Sequence, residues 1–247
     1  MKLDGKVAIV TGAGRNVGEG IAHLFAEEGA SVAVVDWLEE RAQAVASAIN
    51  AERDGAALAV TADVTSSADA ERMVADVVAR WGRVDLLVNN VGVVDRTNVL
   101  ELPEAEWDRV TGVSLKSVFL VTKYAAKQMV EQGDGGRIVN IASTSGHRGR
   151  ENATAYPAAK GGVLNLTRAL AVQLAPYAIR VNSITPNRVQ TIAEPGAPDR
   201  NRGPVDNLIG RPCMPRDVAL AAVFLASADA DFITGIDLPV DGGVLAR

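Results

Sequence analysis

The chain has 247 residues, 48% hydrophobic and 22% charged, with a formal net charge of −5 and a single cysteine, Cys213. That content suffices for one sizeable core, and the acidic balance excludes the basic stripe that nucleic acid would need. One cysteine excludes an internal disulfide framework, and His23, His147 and Cys213 are too few soft ligands to suggest a metal site.

Val7-Ala8-Ile9-Val10 is an apolar, β-branched run that reads as a first buried strand. Met1 to Val7 lacks the apolar stretch of a signal peptide, and no run approaches the ~20 apolar residues of a membrane span. The expectation is a soluble cytoplasmic protein. Thr11-Gly12-Ala13-Gly14-Arg15-Asn16-Val17-Gly18 then leads into helical spacing over 17–28. Glycines let backbone approach a pyrophosphate, and a helix N-terminus supplies N–H donors.

Further strands are predicted at Ser31–Val35, Ala57–Val60, Val84–Val88, Arg137–Ile141, Ile179–Ile184 and, shorter, Ile236–Val240. Helical spacing fills 38–53, 67–81, 104–131, 154–175 and 215–227. Strands alternating with helices predict a single-domain, Rossmann-like, doubly wound parallel α/β sheet of about seven strands with helices on both faces. The stretch 187–212 breaks this rhythm with Pro195, Pro198, Pro204 and Pro212, and is expected to be a mobile substrate-loop insertion.

Asp36 ends the second strand, where a carboxylate accepts hydrogen bonds from a ribose and repels a 2′-phosphate; this favours NAD over NADP. Arg15 argues the other way, since it offers a partner to that phosphate. Asp36 as a plain helix N-cap is the bland alternative.

Tyr156 and Lys160, four apart, share one helix face. An ammonium beside a phenol favours the phenolate, which predicts a Tyr tuned toward neutral pH for proton exchange with an alcohol or carbonyl. Ser143, at the end of the fifth strand, is placed to donate to a substrate oxygen.

With these motifs in order, the chain resembles the short-chain dehydrogenase/reductase family over nearly its whole length. Thr11-Gly12, Asn16 and Gly18 are similar to its TGxxxGxG loop, Asp63-Val64 to its adenine-contacting pair, and Asn89-Asn90-Val91-Gly92 to its NNAG element. Ser143, Tyr156 and Lys160 resemble its catalytic residues, Pro186-Asn187 with Thr191 its PGxxxT segment, and Asp241-Gly242-Gly243 its C-terminal DGG.

The resemblance implies hydride transfer between a nicotinamide and a secondary alcohol or ketone. It implies cofactor contacts from Gly12, Arg15, Asn16, Val17, Gly18, Asp36, Asp63, Val64, Asn90, Val91, Gly92, Tyr156, Lys160, Pro186, Asn187, Val189 and Thr191, and a homotetramer. Ser114 stands where the family carries a fourth catalytic residue, an Asn whose carbonyl holds a relay water. Asn16 and Asn187 replace family glycines, and Asn is the side chain that best tolerates positive φ.

Candidate substrate residues are Ser143, Ser145, His147, Tyr156 and Arg188. Arg148, Arg150, Arg188, Arg200 and Arg202 flank the segments that border the family's substrate cleft, so one reading is a small polar, anionic substrate. Solvated loop arginines are the other reading. An NADPH-dependent 3-oxoacyl thioester reductase and a catalytically weak dinucleotide-binding regulator remain as alternatives.

Overall fold

The computed structural model describes residues 1–190 and 205–247. Among these, β1 (Val7–Thr11), β2 (Ser31–Asp36), β3 (Ala57–Thr61), β4 (Leu86–Asn89), β5 (Gly136–Ile141), β6 (Ile179–Pro186) and β7 (Asp237–Val240) form one parallel sheet. Their order is β3-β2-β1-β4-β5-β6-β7. The helices are α1 (Asn16–Glu27), α2 (Glu39–Glu52), α3 (Ser67–Trp81), α4 (Glu104–Thr111), α5 (Ser117–Gln132), α6 (Ala155–Leu174) and α7 (Pro215–Ala226).

Alternation along the central strands decides which helices lie on which face. Ala8, Val10, Val32, Val34, Leu86 and Val88 pack with α1, α2 and α7. Val7, Ile9, Ala33, Val35 and Leu87 point the other way, to α3, α5 and α6. Every residue of β1 and β4 is buried, as expected for a parallel sheet covered on both sides. The outer strands β3 and β7 are only partly covered, which for β3 differs from the buried strand expected of Ala57–Val60. Pro239 within β7 is tolerated because this strand is at an edge.

The single helix expected over 104–131 is instead α4, a π-helical turn at Gly112–Lys116, and α5. Side chains there compete for backbone groups. Thr111 Oγ1 donates to the Trp107 carbonyl at 2.8 Å, and Ser117 Oγ donates to the Val113 carbonyl at 2.6 Å. No helix of the described residues is long and apolar enough to cross a membrane.

Between β1 and β4 the chain leaves the sheet in opposite directions. The C-terminal ends of those strands therefore border a crevice, where doubly wound sheets take their ligands.

Candidate active site

Tyr156 and Lys160 stand one turn apart on α6, with Lys160 Nζ 5.8 Å from the Tyr156 ring centroid. Lys160 is buried, and Nζ donates to the Ile141 carbonyl at the end of β5, at 2.6 Å. Burial pushes its ammonium down to about 8. Ser143 opens a 3₁₀ turn, Thr144–Gly146, and its Oγ accepts from Ser145 N at 3.2 Å. A Cβ on Gly146 would lie 2.8 Å from the Lys160 carbonyl oxygen, so glycine lets this turn press against α6.

Burial pushes the Tyr156 phenol above its ordinary value; hydrogen bonding from Ser143 and the charge of Arg150 pull down without prevailing. This corrects the expectation of a phenol lowered by its neighbouring ammonium. In the chain alone Lys160 is directed at a carbonyl, and desolvation of the phenol is the larger effect.

The helix carrying this pair is held from outside. Its N-cap residue, Thr154, makes no side-chain cap. Asp95, buried in the loop after β4, accepts instead from the N–H groups of Thr154 (2.7 Å), Ala155 (3.1 Å) and Tyr156 (2.9 Å). Burial alone would raise the Asp95 carboxyl; the bonds from Thr154, Tyr156 and Ala155 outweigh it and hold the group below its ordinary range.

The same loop is clamped by Ser114, from within the π-helical turn. Its Oγ accepts from Val93 N at 3.0 Å and donates to the Val93 carbonyl at 3.1 Å. Deeper in, Asn89 Nδ2 donates to Asn140 Oδ1 (2.9 Å) and Thr122 Oγ1 (3.0 Å), and Asn140 Nδ2 donates to Thr167 Oγ1 (3.0 Å). This buried ladder ties β4, β5, α5 and α6 together.

At the crevice, Gly12 has φ +61 and Asn16 φ +53, so both use the left-handed region that the sequence anticipated for the loop. Asn187 does not; its Oδ1 accepts from Thr144 Oγ1 at 3.2 Å instead. Asn90 Nδ2 donates to the Thr11 and Gly12 carbonyls at 3.0 and 3.1 Å. A Cβ on Gly18 would fall 2.1 Å from the Gly12 carbonyl oxygen, and one on Gly14 2.7 Å from Asp36 Oδ2. Buried Asp36 accepts from Gly14 N and Leu38 N, both at 3.1 Å. It is not the N-cap of α2, which is Leu38. A cradle opened by Gly12, Gly14 and Gly18 at the start of α1, with the Asp36 carboxylate against Gly14, fits a dinucleotide pyrophosphate and ribose.

A profile of the family described as Enoyl-(Acyl carrier protein) reductase matches residues 12–245. The chain is 40% identical to the meso-2,3-butanediol dehydrogenase of Serratia marcescens, covering 100% of this chain and 97% of that protein. It is similar to a crystal structure of a short-chain type dehydrogenase/reductase from Mycobacterium marinum, with TM-score 0.91, 35% identity, and 100% and 97% of the two chains covered. The chain belongs to the short-chain dehydrogenase/reductase family. A 3-ketoacyl-(acyl-carrier-protein) reductase from Brucella melitensis, solved with NADH, is likewise similar: TM-score 0.91, 39% identity, 98% and 99% coverage.

As a short-chain dehydrogenase/reductase, the protein is an NAD(P)-dependent oxidoreductase. When bound, a nicotinamide dinucleotide would supply the hydride acceptor or donor, and the cradle of Gly12, Gly14, Gly18 and Asp36 would hold it. Tyr156, Ser143 and Lys160 are brought together, and Gly92 joins them: a Cβ there would lie 3.3 Å from Lys160 Nζ and 3.7 Å from Ser114 Oγ.

Other expected residues stand further from this centre. Asp63 Oδ1 accepts from Thr65 N at 2.9 Å and from Thr65 Oγ1 at 2.8 Å, while Val64 is buried. Val17 and Val91 pack against the two cores. Arg15 precedes α1 as its N-cap. Pro186 ends β6, Val189 bridges to Cys213, and Arg188 is exposed. Ser145 is buried, and His147 Nε2 lies 2.9 Å from Asp237 Oδ2, turned to β7. Thr191, Arg200 and Arg202 lie outside the described residues, as does 191–204 of the expected insertion.

Asp95 and Gly146 are the positions sequence reasoning missed. Asp95 acts on backbone 59 residues downstream, a relation that no local sequence pattern signals.

Proposed function

We propose that this protein transfers hydride between NAD and a secondary alcohol or ketone of a small, polar substrate. The observation that carries this reading is Tyr156 on α6 with the Ser143 turn pressed beside it and Lys160 beneath the ring. In the oxidation direction the Tyr156 phenolate takes the hydroxyl proton, Ser143 donates to the substrate oxygen, and the Lys160 charge favours the ionised phenol once the site is closed to water. Asp36 at the Gly14 end of the cradle supports NAD over NADP.

A 40% identical relative named for a vicinal diol supports a polyol-sized substrate. The Arg150 charge that reaches the Tyr156 phenol supports an anionic group on it. Exposed Trp107, Phe119 and Val172 on α4, α5 and α6 support the homotetramer expected from the sequence.

The test is NADH formation from NAD⁺ with a panel of diols and polyols, each paired with an analogue bearing a carboxylate. Turnover removed by Tyr156→Phe, by about 10²–10⁴-fold, is the expected result. Unchanged turnover in that variant sinks the reading. Faster oxidation of the acidic partners supports the arginine assignment; faster oxidation of the neutral ones removes it. The second reading, reduction of 3-oxoacyl thioesters, has the similarity to the Brucella reductase behind it. NADPH-dependent reduction of an acetoacetyl thioester faster than any panel alcohol is oxidised would establish it.

A further inference from the structure

Asp95 is a buried carboxylate on a loop, and it accepts three bonds from the start of the helix bearing Tyr156. One of those donors is the Tyr156 N–H itself, at 2.9 Å. The loop that carries Asp95 runs directly on from Asn90, Val91 and Gly92. Asn90 is bonded to the Gly12 carbonyl of the cofactor cradle, and Val93 is clamped at both its N–H and its carbonyl by Ser114. This loop therefore meets the start of α6 through Asp95 and through the Thr97 carbonyl, which accepts from Thr154 Oγ1 at 3.4 Å, and of the two it is Asp95 that bonds the backbone of Tyr156 itself.

We propose that Asp95 is a positioning residue, which sets the distance of the Tyr156 phenol from the cofactor by tethering α6 to the loop after β4. A local cap would serve the helix equally well. Thr154 is at the N-cap position and its Oγ1 donates to the Thr97 carbonyl rather than capping the helix, so a carboxylate at that position would satisfy the same N–H groups from within α6. Such a cap would stabilise the helix but leave it untied from the cradle. An ionised carboxylate is acceptor-only and suits three converging donors. An amide in its place would turn a donor toward them.

The role assigned to Asp95 rests on Tyr156 being the proton-transfer group, and one set of variants separates the two. Asp95→Asn, Thr154→Asp, the two combined, and Tyr156→Phe are compared with the parent, using NAD⁺ and the panel alcohol it oxidises fastest; Thr154→Asp alone reads the cost of losing the Thr154–Thr97 bond. Thermal midpoint, kcat per folded molecule, cofactor Kd and the isotope effect with the carbinol-deuterated alcohol are read for each.

Asp95→Asn is expected to lower kcat at least about tenfold and to enlarge the isotope effect, with cofactor Kd within about twofold, since misplacement slows the chemical step rather than binding. The double variant is expected to regain the thermal midpoint and not the rate. Should Asp95→Asn alone fail to fold, the double variant carries the comparison. Recovery of rate together with thermal midpoint would overturn the proposal, leaving Asp95 an ordinary cap. So would an unchanged kcat in folded Asp95→Asn. Tyr156→Phe retaining turnover would instead remove the reading of Tyr156, whatever Asp95 does.

Discussion

Lys160 reaches past the Tyr156 ring to the carbonyl of Ile141, with Nζ and O 2.6 Å apart. A buried ammonium held by one carbonyl is under-solvated, and its affinity for the proton falls to about 8 from an ordinary 10.5. Between those values the unfolded chain binds a proton there that the folded chain does not, so this group makes stability rise with pH over that window. Relative to Lys160→Met, the cofactor-free protein should gain up to about 3 kcal/mol as pH climbs through it. Paired urea titrations below pH 8 and close to 10.5 check this; a flat difference between the two proteins would contradict it.

The charge of Arg150 acts on the Tyr156 phenol. Its charge lowers a Tyr156 phenol that burial has raised, so Arg150→Ala should move the rising limb of alcohol oxidation to higher pH. Ser143→Ala should move it the same way and also lower kcat. Profiles of kcat/KM against pH read both effects, and a limb unmoved by Arg150→Ala would place that guanidinium out of the site's electrostatics.

The cofactor end has its own test in Asp36, whose Oδ2 faces Gly14 N at 3.1 Å. On the proposed reading, Asp36→Ala removes both a ribose acceptor and a charge that opposes a 2′-phosphate. The ratio of kcat/KM with NAD⁺ to that with NADP⁺ is expected to fall at least about tenfold, equivalent to about 1.4 kcal/mol of discrimination. An unaltered ratio would shift the assignment to Arg15 or another residue of the loop.

Ser114→Ala leaves the Val93 N–H and carbonyl without the two bonds that Ser114 now makes. Loss of about 1–3 kcal/mol of stability is expected, measurable by urea unfolding. Ser114→Asn, with the longer side chain usual in the family, is expected to cost less than Ser114→Ala. Equal losses would mean that the turn is held by Ser117 and Thr111 alone.

What the sequence determined by itself was local in kind. Continuous apolar, β-branched runs between helical stretches specified a parallel sheet because its central strands must bury both faces, and five of the seven helices lie within a few residues of their expected spans. The Gly12–Gly18 loop was legible because only glycine, or Asn at φ +53, admits that backbone. Tyr156 and Lys160 were legible because helical spacing puts them on one face.

The tertiary structure decided the rest, through contacts between segments far apart in the chain. Asp95 holds Tyr156 from 61 residues away, and Gly146 fits against Lys160 only because β5 and α6 meet there. The π-helical turn that split 104–131 contains Ser114, which bonds a residue 21 positions upstream. The Tyr156 phenol moved opposite to its expected direction because desolvation depends on how the whole fold surrounds the ring, which spacing between two residues does not encode.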